Sequence, residues 1–249
     1  MGYAQNLRTV PTRETFVDAP LDVLRSALPG PVRHVDPDQH VTIEGARRDV
    51  VVGVVSGLLR SFRMTPDGRR HITRFAKAGD LIGLGALNTY RGSSEAVAAS
   101  TIVSFPVRAL DAAAETDARV RQAILEAMTA EMTARDRIQF RLGRLWSEER
   151  VADFLVELST APDGTSRASS TIAMSRADMA DHLGVTIETV SRALHSFQRR
   201  GLVRLDGAHR FTILRGRALR GFASGDGDDF PQPLGRRLHS GKGDLALAV

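Results

Sequence analysis

The chain has 249 residues, 42% of them apolar and 25% charged, with no cysteine. That length is enough for one large folded unit or two ordinary ones with full cores, and the composition excludes a disordered chain. The missing cysteines exclude disulfides, thiolate metal sites, cysteine-held iron–sulfur clusters and a cysteine nucleophile.

No run approaches the roughly 18 apolar residues of a membrane span, and residues 1–10 lack the basic start and apolar core of a secretory signal, so the expected compartment is the cytoplasm, with no membrane partner. Lys77 and Lys242 are the only lysines among 34 basic residues. Two readings of that bias stand: a GC-rich genome, or arginine's aptitude for phosphates and base edges. The placement of charge says more. Residues 174–220 hold nine arginines against Asp178, Asp181, Glu188 and Asp206, a surplus equal to the whole net charge of +5. A basic module on a neutral body is the electrostatic footprint of a nucleic-acid binder.

Residues 1–20 read as a partly disordered extension and 224–249 as a flexible tail. Over 32–107, short apolar runs (41–43, 50–55, 57–64, 71–75, 81–87, 95–103) are broken by glycine, the pattern of a β-sandwich or barrel. Pro66-Asp67-Gly68 predicts a tight hairpin, and Gly45, Gly53, Gly57, Gly79, Gly83 and Gly85 predict bends. Residues 117–145 predict one long helix of about 42 Å. Its stripe is Val120, Ile124, Ala127, Ala134, Ile138, Leu142 and Leu145, interrupted by Glu131, with arginines and acids expected on the other faces. Such a helix either bridges two domains and offers a dimer seam, or packs only within its own chain. A second helix is expected over 146–160, where Glu148 and Glu149 favour the N-terminal dipole, and a polar loop over 162–170.

The chemistry concentrates after residue 171. Ser175-Arg176-Ala177-Asp178 is a capping box, Gly184 a turn residue and Thr186 a second cap, so two helices joined by a short turn form a helix-turn-helix. Met179, Ala180, Leu183, Val185, Val190 and Ala193 are expected to pack the pair together. With Val190, Ala193, Leu194 and Phe197 turned inward, Glu188, Ser191, Arg192, His195 and Arg199 are turned outward, the earliest nearest the end that meets base edges. Ser175, Arg176, Thr186, Ile187 and Thr189 complete the candidate DNA-binding set around the two helix starts. Runs 202–205 and 210–214 around Asp206-Gly207 predict a hairpin wing whose Arg204 and Arg210 reach the phosphate backbone.

These motifs, with Glu149-Arg150-Val151-Ala152-Asp153-Phe154-Leu155 upstream, resemble the CRP/FNR superfamily of bacterial transcription regulators over residues 30–220. The resemblance implies an α+β chain with a cyclic-nucleotide-binding-type β-roll (jelly roll) at 21–116, a long dimerisation helix at 117–145 and a C-terminal winged helix-turn-helix at 146–223. The family's Glu-x-x-Ser-Arg signature falls on Glu188, Ser191 and Arg192, which by resemblance read the TTGA half of a palindrome. Arginine can bond guanine twice, and glutamate can accept from a cytosine amino group.

The resemblance also bears on ligands. Nucleotide-binding members place a glutamate after the turn glycine and an Arg-Ser or Arg-Thr pair later. Here Gly83 is followed by Leu84, and the later stretch is Ser93-Ser94-Glu95, whose carboxylate is expected to repel a phosphate; Arg91 is the one nearby cation that could offset it. Cyclic AMP is therefore disfavoured. The stretch 79–86 with Glu95-Ala96-Val97 resembles the FixK-type branch, whose members often lack a sensory cofactor, and the seven histidines show no paired ligand spacing.

The expected function is a homodimeric, sequence-specific DNA-binding regulator, an activator, with duplex DNA and RNA polymerase as partners and no cofactor or metal. The alternative is a small-molecule- or haem-gated version of the same architecture. An enzyme is not expected: no phosphate loop, nucleophile elbow or metal-ligand cluster is present, and Gly83-Leu84-Gly85 lacks the third glycine of a dinucleotide loop.

Overall fold

A computed structural model describes residues 19–161 and 164–224. The extension expected at 1–20 lies almost wholly outside the described residues, as does the tail after Ser224.

The N-terminal half opens with α1 (Pro20–Ala27) and continues through β1 (Val32–Val35), β2 (His40–Thr42), β3 (Val50–Ser56), β4 (Leu58–Met64), β5 (Arg70–Lys77), β6 (Leu81–Ile82), β7 (Ser93–Ala96) and β8 (Ser100–Pro106). Two antiparallel four-stranded sheets result, ordered β1-β8-β3-β6 and β2-β7-β4-β5. Between them lie Val35, Val52, Val54, Leu59, Ala76, Ile82, Ala96 and Ile102.

The first sheet is covered on its other side too. Val51, Leu81, Val103 and Phe105 meet Leu21 and Leu24 of α1, Leu110 of α2 (Val107–Thr116), and Val120 and Ala123 of α3 (Ala118–Arg144). Burial on both faces explains why β3 is an almost unbroken valine run rather than an alternation.

The Pro66-Asp67-Gly68 hairpin joins β4 to β5 as expected, with Gly68 at φ 83°. Several local expectations need correction. The run 81–87 is a strand only at Leu81–Ile82, and 95–103 splits into β7 and β8. Gly53 is no bend: it lies inside β3, where a Cβ would stand 2.3 Å from Leu21 Cδ1, so its hydrogen lets α1 approach the sheet. Helices α1 and α2, short and flanked by proline, are additional to the expected elements.

The long helix is present as α3, capped by Asp117, whose carboxylate accepts from the Arg119 amide. Of its expected stripe, Val120 and Leu145 are buried and Ile124 and Ala127 pack on the core beneath the first sheet, while Ala134, Ile138 and Leu142 are half-buried and outside that core. Charged residues do not fill the remaining faces: Leu125, Met128 and Met132 form a second, solvent-facing apolar row. The C-terminal half then runs α4 (Ser147–Ser159), β9 (Ser169–Thr171), α5 (Arg176–Leu183), α6 (Ile187–Arg199), β10 (Val203–Leu205), β11 (Arg210–Ile213) and α7 (Gly216–Ala223). Ser169 and Ser170, expected in a loop, pair with Thr212 and Phe211, so the wing is a three-stranded sheet ordered β10-β11-β9. Val151, Phe154, Leu155, Met179, Leu183, Leu194, Phe197, Phe211 and Leu219 fill its core.

The two halves meet where α5 lies on the β4–β5 ribbon. His182, 3% exposed, bonds the Ile72 carbonyl through Nδ1 at 2.9 Å and packs against Phe75 and Phe154. Burial is the main reason its pKa falls to about 4; Arg141 and His71 add to the effect, while the Ile72 bond and Glu157 oppose it. The unfolded chain therefore takes up a proton first, near the ordinary value of about 6.5. Stability tied to His182 is complete above that pH and is lost as pH falls from about 6.5 towards 4, about 3 kcal/mol in total. Urea midpoints at pH 7.5, 5.5 and 4.5 should fall less steeply in His182→Gln, which keeps a donor for the carbonyl but cannot titrate.

Candidate nucleic-acid interface

The geometry of the outward face follows from two caps and one glycine. Ser175 Oγ accepts from the Asp178 amide at 3.0 Å, and the Asp178 carboxylate takes the Ser175 amide and hydroxyl in return. Helix α5 then stops at Gly184, in the left-handed region at φ 62°. Thr186 Oγ1 accepts from the Thr189 amide at 3.2 Å and starts α6. Met179, Ala180 and Leu183 share one core with Val190, Ala193, Leu194 and Phe197, so the two helices form one unit.

Burying Val190, Ala193, Leu194 and Phe197 turns the opposite side of α6 to solvent. Thr186, Ile187, Glu188, Arg192, His195 and Arg199 are exposed, with Thr189 and Ser191 half-buried beside them. Ile187 is an apolar side chain held open at the first helical position, 47% exposed. Arg192 Nη2 donates to Thr189 Oγ1 at 3.4 Å, and His195 Nδ1 lies 2.8 Å from the Ser191 carbonyl. Glu188 has its pKa lowered, first by its own backbone N–H, then by the Thr186 hydroxyl, with help from Arg192, so it stays an acceptor.

Ser191, Arg192, His195 and Arg199 share a groove of about 410 Å³ with Ser196 and Glu148. Sequence reasoning placed Glu148 only at a helix start. Its position among the cations is a tertiary fact: the beginning of α4 lies alongside the outward face of α6. Glu149 turns instead to the backbone and accepts from the Trp146 amide at 2.8 Å.

The remaining expected residues lie around this face rather than on it. Ser175 is exposed at the start of α5. Arg176 is half-buried, donating to Met179 Sδ and to the Ala208 carbonyl of the wing, and burial lowers its pKa. On the wing, exposed Arg204 bonds Asp206 at 2.9 Å and Thr212 at 3.4 Å, and Arg210 stands opposite Thr171 at the far end of β11.

Arg150 was not among the expected site residues, yet it braces the unit. Its guanidinium donates to the Leu142 and Leu145 carbonyls at the end of α3, at 2.9 and 3.0 Å, and to Leu183 and Gly184 at the end of α5. One cation thus satisfies two helix C-termini. At the roll end, Glu95 does not face open solvent: its carboxylate takes Arg60 Nε at 2.7 Å and is neutralised there, so the expected repulsion of a phosphate needs amending. At the Gly83 turn, Arg48 donates to the Gly83 and Leu87 carbonyls.

Comparison with known proteins identifies this arrangement. The profile of the Crp-like helix-turn-helix domain matches residues 149–222, and that of the cyclic nucleotide-binding domain matches 32–117. The nitrogen fixation regulation protein FixK of Azorhizobium caulinodans is 38% identical over 171 residues, covering 67% of this chain and 68% of that protein. The transcriptional activator protein anr of Pseudomonas aeruginosa is 32% identical over 161 residues, 63% of this chain and 66% of its own length. The solved structure of FixK2 from Bradyrhizobium japonicum matches with a TM-score of 0.73 at 29% identity, covering 78% of this chain and 98% of that one.

The chain belongs to the CRP/FNR family and is a helix-turn-helix DNA-binding transcription regulator. Within that family it is similar to FixK proteins. Among the described residues, no helix is long and apolar enough to cross a membrane, and no group of three or more acidic or histidine side chains could hold a metal ion.

The caps carry the first testable consequence of this geometry. Ser175→Ala and Thr186→Ala each remove one acceptor from an otherwise orphaned helical amide and should each lower stability by about 1 kcal/mol. Thermal denaturation should show two such losses that do not add, because α5 and α6 share one core.

Proposed function

We propose that the protein is a homodimeric, sequence-specific activator of transcription that reads a TTGA-type palindrome and works without cyclic AMP or an iron–sulfur cluster. The carrying observation is the face of α6, which holds Glu188, Arg192, His195 and Arg199 open to solvent directly opposite a fully buried apolar stripe. Arg192 and Glu188 specify bases, Ser191 and Ile187 contribute groove contacts, and Arg199, Arg204 and Arg210 position the module on phosphates. The name of the relative from Pseudomonas aeruginosa, a transcriptional activator, supports activation; RNA polymerase as the second partner and the cytoplasm as the compartment belong to the same reading. The protein is not an enzyme on this reading.

The seam of the dimer is the row Leu125, Met128 and Met132, 54%, 37% and 64% exposed, on a helix long enough to run beside its copy. Met132→Glu should convert a dimer to a monomer in sedimentation velocity while leaving each folded chain intact.

The ligand-free reading is supported in the roll. Gly83 sits at φ 87° beneath the Tyr90 ring, whose Cε1 would stand 3.0 Å from a Cβ added there, and Tyr90 Oη donates to the Val50 carbonyl at 2.8 Å. The chain's own aromatic ring lies over that turn, and its own carboxylate takes the neighbouring guanidinium.

Gel shifts on the palindrome against a scrambled duplex test the function; equal affinity at moderate salt would overturn it. Arg192→Ala should cost about 1 to 3 kcal/mol and relax base preference, whereas Arg199→Ala or Arg204→Ala should weaken all sequences alike and reduce the salt slope by about 1.

A further inference from the structure

We infer that Arg60 and Arg70 of the roll are positioning residues for DNA binding: by gripping Asp178 and Asp181 of α5 they fix the attitude of α6, and with it the half-site spacing that a dimer accepts. This inference rests on the palindrome reading above.

The grip is two guanidinium forks, from β4 and β5, meeting carboxylates from one strand, one turn and one helix. Arg60 and Glu95 are register partners on β4 and β7, so their side chains stand on the same sheet face. Arg60, with its side chain 10% exposed, donates through Nε to Glu95 at 2.7 Å, through Nη1 to Asp178 at 3.1 Å and through Nη2 to Asp38 at 2.6 Å. Arg70 reaches the same helix with Nη2 on Asp178 at 2.7 Å and Nε on Asp181 at 2.9 Å, and its Nη1 lies 3.4 Å from Glu95. Beside them, His71 Nδ1 lies 3.2 Å from the Asp181 carbonyl and His182 Nδ1 2.9 Å from the Ile72 carbonyl.

Apolar packing alone would let α5 slide or turn on the ribbon. Two planar guanidinium forks on one buried carboxylate do not, because each bond has its own direction. Asp178 is 2% exposed and performs both tasks, closing the Ser175 cap and receiving both arginines, so the start of α5 is held rotationally as well as in place. Since α5 and α6 share one core, the attitude of the first is the attitude of the second. None of the four carboxylates belongs to the outward face of α6, so their effect on DNA must pass through orientation.

The full-length protein is tested on palindromes whose spacer is shortened or lengthened by one base pair, which turns one half-site against the other by about 35°. The wild type should lose at least tenfold in affinity at either altered spacing. Arg70→Gln should bind the optimal palindrome about five- to tenfold more weakly, keep wild-type affinity for a single half-site, and show a spacing profile flat to within about threefold. Asp181→Asn, at a third-exposed position, should give the same flattened profile and serves as the test if Arg70→Gln does not fold; Asp181→Glu, which keeps the charge, should restore the sharp one. A wild-type profile in a folded Arg70→Gln or Asp181→Asn overturns the grip, as does an equal loss on half-site and palindrome. A wild type that does not distinguish palindrome from scrambled duplex overturns the functional reading beneath it.

Discussion

The polar outward face of helix α6 exists because the helix must hide its other side. Val190, Ala193, Leu194 and Phe197 recur at steps of three, one and three, and each is essentially inaccessible to solvent. Removing that much apolar surface from water stabilises the unit by several kcal/mol, at about 1.5 to 3 kcal/mol for each large side chain. The same burial leaves the residues between them no direction but outward. The side chains proposed to read bases are thus not held in place by long-range hydrogen bonds; among the described residues, Arg192 and His195 bond along their own helix. Their direction is set by what lies on the other side.

Arginine does much of the remaining construction. Arg150 joins the ends of α3 and α5 by bonding their carbonyls, and Arg141, 1% exposed, bonds Asp153 of α4 at 2.6 Å and Glu157 of the same helix from α3. Arg60 is held above its ordinary pKa even though burial, the largest influence on it, acts in the opposite direction; bonds to Glu95 and Asp38 and the charge of Asp178 outweigh it. A chain so rich in arginine invites a reading in terms of phosphates alone. These three show a second use, because a planar fork with five donors can satisfy several buried acceptors at once where an ammonium group satisfies them as a point charge.

Legibility in the sequence followed the range of the interactions. The caps at Ser175 and Thr186, the turn at Gly184, the hairpin at Pro66-Asp67-Gly68 and the bounds of the long helix were all readable, since each depends on residues within a few positions of one another. The wing's third strand was not: Ser169 and Ser170 have no strand-like composition and are ordered by pairing with Thr212 and Phe211. Gly53 resembled a bend because a glycine's reason can be a neighbour 32 residues away, here Leu21. The outward row of α3 was hidden by a stronger inward one on the same helix. The union of Arg60 with Asp178, 118 residues apart, leaves no local trace, and neither does the approach of Glu148 to the α6 face.

Glu95 ties the proposed ligand-free reading of the roll to its contact with the helix-turn-helix. Its carboxylate, in the stretch where by resemblance nucleotide-binding members carry an Arg-Ser or Arg-Thr pair, reaches Arg60 and Arg70, and those two residues continue to Asp178 and Asp181. An anion supplied by the chain is present at every concentration of small molecule, so a connection built on it does not open and close with an effector's abundance. On the ligand-free reading proposed above, the quantity left to vary is the number of copies of the protein, and mass action on the proposed dimer makes operator occupancy depend on that number more steeply than in proportion.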